Sequence, residues 1–79
     1  MGRKERGMNI LRLGYNISNE LHKRNMSYRE LGRRINKQHA TVADHVFHPH
    51  RITVKELMEI GGTFGIDWMD LLKGVEDDF

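Results

Sequence analysis

"SYRELGRRINKQHATVADHV", residues 27–46, holds two short apolar stripes separated by three polar residues. Leu31 and Ile35 are four apart, as are Val42 and Val46, the spacing at which side chains share one face of a helix. Between them stands Asn36-Lys37-Gln38. Asn visits the left-handed conformation that stops a helix at lower cost than most residues with a Cβ. The stretch therefore predicts a helix ending near Ile35, a turn of about three residues, and a second helix over 38–47. Pro49 bars simple continuation, because it has no amide hydrogen and its ring clashes with the preceding turn.

Three phrases punctuate the chain around this stretch. "MSYREL" (26–31), "ITVKEL" (52–57) and "IDWMDL" (66–71) each place an apolar residue before Ser, Thr or Asp, an acid three positions on, then Leu. That is a capping box joined to a hydrophobic staple, so each predicts a helix start. Ser27, Thr53 and Asp67 are expected to accept from orphaned amides, and Glu30 and Glu56 to reach back to the cap's own N–H. Met26, Ile52 and Ile66 should pack on Leu31, Leu57 and Leu71. The third box is the weaker one, since Asp70 is shorter than Glu.

Ile10, Leu13, Ile17 and Leu21 line a first helix from about 8 to 24, with Asn25 suited to its left-handed end. Leu57, Ile60 and Phe64 line a fourth over 54–64, stopped by Gly65, and Leu71, Leu72 and Val75 line a fifth. Gly61 and Gly62 lie inside the fourth helix, where each costs roughly 1 kcal/mol against Ala, and imply the close approach of another helix. The reading is an all-α, compact five-helix domain over 8–75, with a basic arm (1–7) and an acidic tail (76–79).

A chain of 79 residues, 38% of them apolar, makes one domain near the lower limit for a self-sufficient core. The absence of cysteine excludes disulfides and thiolate zinc sites, and makes a reducing cytoplasm the simplest home. No apolar run approaches the 18 or so residues of a membrane span, and the start "MGRKERG" lacks the apolar stretch of a signal peptide. No membrane partner is expected. The net charge of +2 hides an asymmetry: residues 1–51 hold eleven Lys/Arg against four acids, residues 52–79 two against seven. A basic front half points to a polyanionic partner, of which double-stranded DNA is the commonest.

Two short helices joined by about three residues have helix-turn-helix geometry, a connection also found in plain bundles. The run 26–74 resembles the lambda-repressor-like helix-turn-helix family of phage repressors and Cro proteins. Leu31, Gly32, Ile35 and Val42 stand where that family packs its two motif helices together. The tail "FGIDWMDLLKG" matches the family's closing pattern at Gly65, Ile66, Leu71, Leu72 and Gly74. The sequence departs from the pattern inside the motif: Asn36 replaces the turn glycine, Lys37 an apolar residue, and Tyr28 the usual initial Gln. His45 takes an apolar position, so that either Val46 packs in its place or the register shifts by one. "FHPH" replaces the family's Asn-Gly.

The resemblance implies that 38–47 is a recognition helix entering the major groove. Gln38, His39, Thr41 and Asp44 would face base edges: Gln can pair with adenine, Thr can touch a thymine methyl, and Asp can accept from cytosine N4. Phosphate contacts would come from Ser27, Tyr28, Arg29, Arg33, Arg34, Lys37, His48, His50 and Arg51. A recognition helix reads only a few base pairs, which implies a homodimer on a palindromic operator, as phage-type transcriptional repressors use. Trp68, Met69 and Leu72 are its expected interface.

His45, His48 and His50 straddle Pro49 without the regular spacing of metal ligands, so no metal and no cofactor are expected. Imidazoles hydrogen-bonding in a loop, or His45 packed against the fourth helix, fit better. No nucleophile, base and orienter cluster is visible, which argues against an enzyme. The alternative is a protein-interaction module on the same fold, such as an antirepressor, binding DNA weakly or not at all.

Overall fold

The computed structural model describes residues 9–75. The expected basic arm, the acidic tail and the expected helix start at residue 8 lie outside the described residues. The chain forms α1 (Leu11–Lys23), α2 (Tyr28–Ile35), α3 (His39–Phe47), a 3-10 turn (Pro49–Arg51), α4 (Val54–Phe64) and a second 3-10 segment (Trp68–Leu72). Among the described residues there is no strand, and no helix is long and apolar enough to cross a membrane.

The helix boundaries follow local chemistry. Ser27 Oγ accepts from the Glu30 amide at 3.0 Å, and Thr53 Oγ1 from the Glu56 amide at 3.0 Å, opening α2 and α4. The reciprocal half of each box needs correcting. Glu30 gives its carboxylate to Arg33 and Arg34, and Glu56 gives its own to His45. These carboxylates bind cationic or ring N–H donors in place of the cap amide. Asn25 (φ 54°), Asn36 (φ 62°) and Gly65 (φ 73°) all take the left-handed conformation that ends a helix.

Two expectations about extent fail. α1 begins at Leu11, because Asn9 donates its amide to the Val75 carbonyl and the chain there is tied to the far end of the domain. The expected fifth helix is a 3-10 segment of five residues. Asp67 Oδ1 accepts from the Met69 amide two residues on, and Asp70 donates to the Asp67 carbonyl three residues back, which winds the backbone tightly from its first turn.

Twelve buried apolar side chains form one core, contributed by all four helices, Leu71 and Val75. Met26, Ile52 and Ile66 pack partly buried against it. Gly61 has the close neighbour its position implies: a Cβ there would lie 2.8 Å from Trp68 Cα, so the last segment rests directly on the α4 backbone. Gly62 does not, for nothing comes within 4 Å of a Cβ built on it.

Candidate nucleic-acid interface

α2 and α3 are held at a fixed angle by a three-residue turn. Asn36 is left-handed, Lys37 donates to the Gly32 carbonyl at 2.7 Å, and Gln38 is extended (φ −70°, ψ 148°) as the residue before α3. A Cβ at Gly32 would run into the Lys37 carbonyl and lie 3.3 Å from Val42 Cγ2, so this position accommodates only glycine without movement. Val42, 2% exposed, pins the inner side of α3. Val46 is buried below it, which resolves the packing alternative in favour of Val46 over His45.

The N-terminal end of α3 is uncovered. Gln38, His39 and Ala40 are exposed, and Thr41 is half-buried. No side chain caps this end, so its first amides and the positive end of the helix dipole face outward. An open groove beside it is lined by Arg29, Arg33, Lys37, Gln38 and His39. Arg33 and Arg34 share Glu30. Among the described residues, neither Arg29 nor Lys37 has an ion-pair partner.

The C-terminal end is occupied by its own network. Both carboxylate oxygens of Asp44 accept from Arg51 Nη1, at 2.7 and 3.0 Å, and His48 Nδ1 lies 3.4 Å from Asp44 Oδ1. The Arg51 hydrogen bond holds the Asp44 carboxyl below the usual carboxylate range, helped by the charge of Arg51 and by His48 and His45. His45 Nδ1 sits 2.8 and 2.9 Å from the two oxygens of Glu56, whose residue is only 4% exposed. This link ties the recognition-helix candidate to the first turn of α4. His50 is exposed on the 3-10 turn, its ring edge-on to His48 with centroids 6.1 Å apart. Among the described residues no three metal-ligating side chains converge.

The structure thus brings Gln38, His39, Arg29, Arg33 and Lys37 together around one groove, with Arg34 beside them on the Glu30 pair. It sets Asp44, Arg51 and His48 against one another, away from that cluster. Ser27 uses its hydroxyl oxygen as a cap, and Tyr28 packs partly against the core. Of the three residues expected at a dimer interface, Trp68 and Leu72 are half-buried against the core and Met69 is 56% exposed. Two features escaped the sequence reading. Glu56 as the partner of His45 had no local signal, since the pair is eleven residues apart. Phe47, 66% exposed, was read only as the end of α3, although it lies off the Val42–Val46 stripe at helical spacing. No family model matches the chain, and neither the curated proteins nor the solved structures contain a match to it.

Proposed function

We propose that the chain is a sequence-specific double-stranded-DNA-binding regulator of the lambda-repressor-like helix-turn-helix type, a transcriptional repressor acting as a homodimer with α3 in the major groove. The observation that carries this reading is the open end of α3. Its exposed Gln38 and His39 and its uncapped amides sit beside Arg29, Arg33 and Lys37, while Val42 fixes the opposite side to the core. A major groove about 12 Å wide admits such a helix, and phosphates on either side would meet the cations. A nine-residue helix spans about 13 Å and reads a few base pairs, so two copies on a palindrome supply the needed site length. Met69 offers exposed apolar surface for that pairing.

Selection of bound duplexes from a random pool, followed by titrations across a salt series, tests the reading. A recovered palindrome, with log K falling several-fold as steeply as log salt rises, supports it. Binding indifferent to both sequence and salt sinks it. Gln38→Ala should weaken preference at defined positions, not on all sequences alike. The second reading, a protein-interaction module, is favoured by one observation: Leu11 (68% exposed), Tyr15 (59%) and Phe47 border a groove between α1 and the C-terminal end of α3.

A further inference from the structure

We propose that α3 reads thymine methyl groups through Ala40, Ala43 and Phe47, with Phe47 as the specificity-determining side chain. This inference rests on the DNA-binding reading above and names which base that reading selects. The three residues are spaced i, i+3 and i+7, so they form one stripe along α3, distinct from the buried Val42–Val46 stripe. Ala40 and Phe47 are exposed and Ala43 is half-buried.

What else α3 could offer a base edge is limited beyond its first turn. Asp44 has both oxygens on Arg51, and His45 has its Nδ1 on Glu56. The middle and end of the helix therefore present methyl groups and an aromatic ring in place of hydrogen-bonding groups. In the major groove the one apolar group on any base edge is the C5 methyl of thymine, and Ala and Phe are side chains that pack on it. Arg29, Arg33 and Lys37 line the groove at Gln38 and His39, immediately before Ala40 on the same helix, and favour a polyanion as the partner of α3, while Phe47 borders a separate groove with Leu11 and Tyr15. Hydrogen-bond reading falls to Gln38 and His39, and methyl reading to the rest of the helix.

Deoxyuridine isolates this contact, because it keeps every hydrogen-bonding group of thymidine and lacks only the methyl. In a selected duplex, thymines are replaced by deoxyuridine one at a time and affinity is measured for the native chain, Phe47→Ala and Phe47→Leu. Burial of one methyl corresponds to about a fourfold change in affinity. The expected result is a loss of that size at one or two thymines per half-site for the native chain. Phe47→Leu should keep that loss and Phe47→Ala should abolish it at one position, with thermal unfolding unchanged because the ring is exposed. No thymine with a methyl penalty, or the same penalty in Phe47→Ala, overturns methyl reading while a persisting palindrome preference leaves DNA binding intact. Absence of any sequence or salt dependence overturns both. If Phe47→Ala loses self-association and retains methyl discrimination, the ring belongs to a protein contact and the inference fails.

Discussion

At the N-terminal end of α3, Arg29 and Lys37 reach the surface with no carboxylate against them among the described residues, whereas at its C-terminal end Asp44, His45, His48 and Arg51 are engaged with each other or with Glu56. The two ends lie about 13 Å apart on one helix. Both are rich in polar and basic residues in the sequence, yet only one keeps its charge available to a partner. The excess of cations in residues 1–51 overstates the field accordingly: Lys23 and Arg24 share Glu20, Arg33 and Arg34 share Glu30, and Arg51 is held by Asp44. Charge that is consumed internally fixes geometry, and charge that is not consumed remains for binding.

The largest effect should come from breaking the consumed end. Glu56→Ala removes the buried carboxylate and leaves the His45 ring nitrogen facing α4 without its acceptor. A buried group stripped of its partner costs about 1–3 kcal/mol, and the partial exposure of His45 places this case toward the lower part of that range. Urea unfolding should show the loss, with Glu56→Gln milder because its amide oxygen still accepts. The salt dependence of DNA binding should not change slope. Full stability in Glu56→Ala would show that the link does not hold α3 to α4.

Breaking the available end should give the opposite signature. Arg29→Ala and Lys37→Ala are each expected to lower the salt slope by about 1 and weaken binding to all duplexes alike, while stability stays within about 0.5 kcal/mol. Arg34→Ala should do less, because Glu30 already offsets that charge. Equal losses from all three changes would erase the distinction between paired and unpaired cations.

The contrast also marks what a linear reading can reach. Ser27 and Thr53 as caps, and Asn25, Asn36 and Gly65 as stops, were legible because each acts within three or four residues of itself. The four helices followed from apolar spacing for the same reason. The last segment misled because the phrase "IDWMDL" carries the form of a capping box while Asp67 bonds the amide two residues on, which tightens the turn. His45–Glu56 and Asp44–Arg51 join positions on either side of Pro49, and only the reversal of the chain through the 3-10 turn brings them together. The sequence singled out Gln38, His39 and Lys37, which the structure places around one groove, but it gave no sign that Asp44 pairs with Arg51.

The smallest expected effect falls on that residue and separates its two roles. If Asp44 serves chiefly to hold Arg51, Asp44→Asn frees a cation and removes an acid from the DNA-facing side. Affinity should then rise roughly two- to fivefold on every duplex, the scale of an exposed ion pair, with a steeper salt slope. If Asp44 instead accepts from cytosine, affinity should fall at one base pair alone. Acid supplies an independent check. Because Arg51 lowers the folded-state pKa of Asp44, the pair's contribution to stability is fully present above the ordinary carboxylate range near 4 and is lost as pH falls through the lowered folded value. Any stability difference between the native chain and Asp44→Asn that comes from this pair should therefore close as pH falls below about 4. A difference that persists unchanged at pH 2 would mean that the Asp44–Arg51 hydrogen bonds contribute nothing to the folded state.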